Sequence, residues 1–195
     1  MSATATRQTI QLPIDHGVVG LRGLSPERSR FELEYALERG STANSVLFEA
    51  ADDQPAVLVH PPGAAYGDVF LPALAALVPG GDQPLLVVVG HVNPNRVALL
   101  RMLAEAYSRL ELIASNAGAE LLQELWSLRK PAPPGQENAQ PPLPDLPAIR
   151  VIRHEQDLPL GFGRSLQLLP APTPRWPGGL LAFETSLGLL MSDRF

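Results

Sequence analysis

The stretch "GHVNPNRVALL", residues 90–100, places His91, Asn93, Asn95 and Arg96 directly after the apolar run "PLLVVV" and before a helix-like pattern. In α/β folds, strand-to-helix turns of this kind build ligand and metal sites at the carboxyl ends of strands. Imidazole suits a transition metal, but amides are poor ligands and a guanidinium is none. The loop therefore opens like a metal-binding turn and continues as something else. His91 alone reads as a group satisfying backbone at a strand end, or as the remnant of a single-metal site. The other histidines are His16, His60 and His154; His60, before a "PP" turn, and His154, before "EQD", read as surface residues. The chain has no cysteine, which excludes disulfides, thiolate zinc sites and thiol nucleophiles, so any metal would need histidine and carboxylate ligands. No Gly-x-Ser-x-Gly turn offers a serine nucleophile. "GFG" at Gly161–Gly163 reads as a tight turn rather than a phosphate cradle, because no helix pattern follows it. Trp176 has two readings: a contact for a flavin or a partner, or a packed aromatic beside a proline turn.

Positioning these residues falls to a chain of 195 residues, 45% hydrophobic and 18% charged, long enough to bury one good core. A net charge of -5 and a pI near 5.3 argue against nucleic acid as a partner. The N-terminus "MSATATRQTIQLP" lacks a signal-peptide core and no stretch is long enough for a membrane span, so the expected location is cytoplasmic.

Strand and helix patterns alternate. "FELEYALE" puts Phe31, Leu33, Tyr35 and Leu37 on one face and Glu32, Glu34 and Glu38 on the other, as in a half-solvated strand. "SVLFEA" and "PAVLVH" form an antiparallel pair joined at "DDQ", and "YGDVFLPALAALV" is a short helix. "PLLVVVG" is a strand buried on both faces. Leu100, Leu103, Tyr107 and Leu110 follow at helical spacing, with Pro94 in the first turn. After the strand "LELIAS", Asn116 is the expected cap of a helix striped by Leu121, Leu122, Leu125 and Leu128. Residues 130–148, "KPAPPGQENAQPPLPDLPA", are a proline-rich surface insertion, with recognition of the prolines by a partner as its functional reading. "AIRVIRH", "RSLQLLPA", "GLLAFE" and "LGLLMSD" are four short strands, with turns at "LPLGFG", "PTPRWPG" and "TSLG".

From about residue 30 onward, the order of elements and several local motifs resemble the metallo-β-lactamase-like domain of flavodiiron proteins, in particular the ligand-substituted diflavin flavoproteins of cyanobacterial type. "RGSTANSVLF" is similar to the family's "GTTYNSYL", and "PAVLVHPPGAAYGDVFLPAL" resembles its next strand and helix. "VVVGHVNPNR" stands where the family has its His-x-Glu-x-Asp-His loop. "LLPAPTPRWPGGLLAFE" is similar to the "PAPxxHWPDxMxxY" segment, and "LGLLMSDRF" to the strand ending in "CDAF". The implied fold is an α/β (α+β) metallo-β-lactamase-like αβ/βα sandwich covering residues 1–195, with residues 1–29 as an N-terminal extension. The resemblance further implies that the sandwich is incomplete at its C-terminus and that the flavodoxin-like domain is absent.

The departures lie in the ligand set. His91 and Asp193 match metal-ligating positions, whereas Asn93, Asn95, Arg96 and Arg175 replace ligands. One carboxylate and one neutral imidazole cannot offset the mutual repulsion of two metal ions, so no catalytic residue and no metal are expected for this chain. FMN and di-iron are cofactors implied for the family only. The resemblance implies a parent activity, NAD(P)H-dependent reduction of oxygen to water in photosynthetic electron transport, with this chain inactive alone. Alternatives are a structural or regulatory subunit assembling with a metal-competent relative, and a zinc-dependent hydrolase, which its missing ligands disfavour. The expected partners are copies of itself or a related flavodiiron protein, helped by an open edge at "LGLLMS". In the pocket the irons would have occupied, Arg96 or Arg175 is expected to pair with Asp193, with Asn93 and Asn95 supplying neutral hydrogen bonds.

Overall fold

The computed structural model describes residues 7–26, 30–31, 35–36, 40–128 and 142–193. Its centre is three short runs whose apolar side chains occupy both faces: β6 (Ala56–Val59), β7 (Leu85–Val88) and β8 (Leu110–Ser115), adjacent and parallel. Parallel neighbours need crossover connections. Helix α1 (Gly67–Ala75) supplies the first, α2 (Pro94–Ala106) the second, and α3 (Asn116–Trp126) leads from β8 to the parallel edge strand β9 (Ala148–Ile152). On the other flank β5 (Ser41–Phe48) pairs antiparallel with β6, as the "DDQ" connection requires. Beyond it come β2 (Val18–Ser25) and β1 (Gln8–Asp15), giving a seven-stranded sheet in the order β1-β2-β5-β6-β7-β8-β9. A second sheet contains β10 (Gln156–Pro159), β11 (Ser165–Pro170), β12 (Leu180–Glu184) and β13 (Leu189–Met191) as an antiparallel meander.

The period of two in the central strands divides the core. Leu58, Leu85, Val87 and Leu112 pack under the helices against Phe70, Leu74, Leu99 and Leu103. Val57, Val59, Val88 and Ile113 face the second sheet and meet Leu166, Leu168, Leu180 and Met191. The layers are thus helices, large sheet, small sheet. Each fully buried leucine or phenylalanine contributes roughly 1.5–3 kcal/mol of transfer free energy.

Several expectations are corrected. Residues 8–25, read as part of an extension, form the β1–β2 hairpin of the main sheet. Its alternation is diluted by Pro13, Gly20 and Gly23, and Gly23 is required because a Cβ there would stand 2.7 Å from the Tyr66 ring. "FELEYALE" is not one strand: β3 (Arg30–Phe31) pairs antiparallel with β4 (Tyr35–Ala36), and residues 32–34 and 37–39 lie outside the described residues. Ser115, not Asn116, caps α3: its hydroxyl accepts from the Gly118 amide at 3.1 Å, while Asn116 lies inside the helix and donates to Glu120. Leu128 falls beyond the end of α3 and is 55% exposed. The "LPLGFG" turn begins later than expected, because Leu158 and Pro159 belong to β10. Of the proline-rich insertion, residues 129–141 lie outside the described residues; residues 142–147 have no regular structure, and the Trp126 indole donates to the Pro144 carbonyl at 2.9 Å. Among the described residues no helix is long and apolar enough to cross a membrane.

Candidate functional site

The carboxyl ends of β6, β7 and β13 converge, and each delivers one group. His60 follows β6 with φ 56°, a left-handed conformation that a non-glycine residue holds only when its surroundings fix it. Three hydrogen bonds do so. Its amide donates to the Val88 carbonyl at 2.9 Å, its carbonyl accepts from Ser45 Oγ at 2.9 Å, and its Nε2 lies 3.1 Å from the Leu180 carbonyl. His60 is therefore buried, at 4% exposure, contrary to the surface reading; the Pro61–Pro62 turn is itself buried and folds over the strand end. Because a carbonyl can only accept, Nε2 carries the proton and Nδ1 the lone pair. Gly90 lets this contact form, since a Cβ there would stand 2.6 Å from His60 Nε2.

Asn93 caps α2, its Oδ1 accepting from the Arg96 amide at 2.8 Å, and Pro94 occupies the first helical turn. The cap turns Arg96 inward. Its Nη1 donates to the His91 carbonyl at 2.8 Å and to Asp193 Oδ2, while Nη2 donates to Asp193 Oδ1 at 3.1 Å. This is a two-pronged guanidinium–carboxylate pair with side chains 9% and 10% exposed. Asp193, just after β13, also has a left-handed backbone, φ 55°. Burial pushes its carboxyl up, but the Arg96 charge and hydrogen bonds, helped by His60 and His91, hold it below the ordinary 3.8.

His91 is buried and packs edge-to-face on Trp176, with ring centroids 4.0 Å apart. Arg175 is exposed, its guanidinium 5.1 Å from the Trp176 centroid. Arg96 and Arg175, equal candidates in sequence, thus stand in different places. Among the described residues neither Asn93 nor Asn95 hydrogen-bonds the Asp193 carboxylate, because Asn93 is committed to the helix cap and Asn95 is exposed beside Gly63. His16 and His154 are exposed and remote from the site.

Beside the ion pair opens a cavity of about 720 Å³, walled by His60, Asn93, Asn95, Arg96 and Asp193. Asn44, Ser45 and Tyr66, which sequence reasoning did not single out, complete its polar wall. Nothing in the local sequence marked these three, whereas Asn93, Asn95, Arg96 and Asp193 were expected together at one pocket. Burial first, with the Arg96 charge also opposing protonation, lowers both His60 and His91 to about 4. Both imidazoles are neutral at pH 7 and too weakly basic to serve as general bases there.

No family model matches the chain. It is 35% identical over its whole length to diflavin flavoprotein A 6 of Nostoc sp. strain PCC 7120, of which it spans 30%. It superimposes with a TM-score of 0.78 on the crystal structure of a fragment of diflavin flavoprotein A 5 from the same organism, at 30% identity over 96% of this chain and 67% of that one. A metal-soaked Flv1 flavodiiron core from Synechocystis sp. PCC6803 matches with a TM-score of 0.75 at 30% identity, over 93% of this chain and 40% of that one. The layered sheets and the sequence likeness agree: the chain belongs to the flavodiiron proteins, of which it represents the metallo-β-lactamase-like domain.

Proposed function

We propose that this chain is a flavodiiron-type domain in which a protein ion pair has taken the place of the metal centre. The observation that carries this reading is the Arg96 guanidinium seated on both oxygens of Asp193. Asp193 matches the family's metal-bridging aspartate, and here both its oxygens are engaged by a fixed cation. Among the described residues no three histidine or carboxylate groups are clustered to hold a metal. The donor set does not fit a di-iron centre, and no step is routed through one. The same shortage disfavours zinc-dependent hydrolysis.

The chain then acts in an oxygen-reducing, NAD(P)H-dependent flavodiiron system as a non-catalytic subunit in the cytoplasm, assembled with itself or with a metal-competent relative. FMN and iron belong to that wider system rather than to this domain. Elemental analysis after expression in iron-supplemented medium tests the reading. The expected result is less than about one tightly bound iron per chain, because metal affinity needs a full set of deprotonated ligands. The Asn93→Glu, Asn95→Asp, Arg96→His, Arg175→His variant should bind more metal than the parent. Two irons per unmodified chain would refute the proposal.

A further inference from the structure

The cavity beside the ion pair has a definite hydrogen-bonding polarity. Arg96 and Asp193 cancel each other's charge, and the His60 Nε2 proton is committed to the Leu180 carbonyl. An ionic ligand would therefore find no counter-charge among these groups.

Three polar groups of the wall have a hydrogen-bonding sense fixed by their neighbours, while Thr42, Asn95 and Ser192 can serve in either sense. His60 is 96% buried, counting from its 4% exposure, and its Nε2 proton is spent on the Leu180 carbonyl. Its Nδ1 has no hydrogen-bond partner among the described residues, yet it is not among the polar atoms sealed from solvent. His60 lines the cavity, and this acceptor is the part of its ring that no protein group engages. The two amides are fixed in the opposite sense. Asn93 Oδ1 is taken by the Arg96 amide, and Asn44 Oδ1 by Arg22 Nε at 2.9 Å. An oxygen held by an N–H donor leaves the NH₂ turned away from it, so both residues offer donors. Val46, Val59 and Met191 add apolar surface to the same wall.

From this arrangement we infer that the cavity binds an uncharged planar heterocycle with a lactam or imide edge: its ring N–H donates to His60 Nδ1, its carbonyls accept from Asn44 and Asn93, and its faces lie on the apolar wall. A volume of about 720 Å³ suits one to three fused rings. The inference rests on the reading that this site holds an ion pair and not a metal.

The test is calorimetric titration of the whole chain with uracil, hypoxanthine and lumichrome, each beside an analogue methylated at the edge N–H. At least one parent compound should bind with Kd below about 1 mM, and its methylated analogue roughly tenfold more weakly. Asn44→Asp keeps the acceptor for Arg22 and removes the NH₂, so it should bind roughly tenfold more weakly while its circular dichroism and melting temperature match the parent. His60→Phe should lose binding too, but it also removes a core hydrogen bond and is read only if it folds. Equal binding of parent and methylated compounds, or no binding by any of the three, overturns the inference. Metal content of the same sample separates the two readings. A metal-free chain that binds no heterocycle refutes only the ligand, whereas a stoichiometrically metallated chain refutes the ion-pair reading beneath it.

Discussion

Arg96 stands near the amino terminus of α2, where the helix dipole disfavours a positive charge by about 0.3–1 kcal/mol. Asp193 more than offsets this, because removing one member of a buried pair typically costs about 3–5 kcal/mol. Arg96→Ala and Asp193→Ala should each lose stability on that scale in urea denaturation, and the double variant should lose clearly less than their sum. Additivity within about 0.5 kcal/mol would mean that the pair is hydrated and inert. Acid should expose the same cluster in two stages. His60, lowered from 6.5 to about 4, binds fewer protons folded than unfolded between those values. Stability is therefore full above about pH 6.5 and falls as pH drops through 4, by roughly 3 kcal/mol for this one group. Asp193, depressed below 3.8, contributes stability above that value and loses it only at lower pH. A His60→Gln variant that still folds should show a shallower decline in melting temperature between pH 6.5 and 4; an unchanged slope would show that His60 does not titrate on unfolding.

At the level of elements, the amino end of α3 supports the turn that carries Trp176. Ser115 Oγ donates to the Gly178 carbonyl at 3.0 Å while accepting from Gly118, and Gly178 packs so closely that an added Cβ would stand 2.9 Å from Gly118 Cα. Ser115→Ala should therefore cost about 1–3 kcal/mol, as a lost cap with a buried acceptor left unpaired, and Asn116→Ala no more than about 0.5 kcal/mol. The reverse order by thermal denaturation would restore Asn116 as the cap. This pair also illustrates how far the sequence could be read. Both residues are good capping types one position apart, and only the end of β8 decides between them. β7 and β8 were legible because continuous apolar runs of strand length have few other uses. β10 was not, because "QDLP" carries two polar residues and a proline. In the site, His91, Arg96 and Asp193 were found through family motifs, but those motifs could not choose Arg96 over Arg175. That choice depends on which way a capped helix turns its first residues. His60 was misjudged because prolines beside a strand usually signal solvent, and here they cover the histidine.

For the molecule as a whole, β13 is an edge of the second sheet among the described residues, with Leu190 53% exposed on it. Such an edge is a template for pairing with another chain. Dimers or larger species are expected in sedimentation at micromolar concentration, and Leu190→Lys should shift them toward monomer; a parent that is monomeric throughout would rule out this edge as a contact. The two-sheet architecture has a further consequence, for the order in which the molecule folds. The inner face of the large sheet, Val18, Phe48, Val57, Val59 and Val88, is covered by strands from the last quarter of the chain. The polar ties from the first part of the chain to the second sheet and its flanks also span long stretches: Arg164 to Asp15 is 149 residues apart, His60 to Leu180 is 120, and Arg96 to Asp193 is 97. Loop closure over such separations comes late, and chains dominated by it fold slowly. During synthesis from the amino terminus, the seven strands of the large sheet and three helices emerge before their apolar covering does. The nascent chain then carries a bare hydrophobic sheet face until residues 156–191 leave the ribosome, and transiently exposed surface of that kind is prone to aggregation.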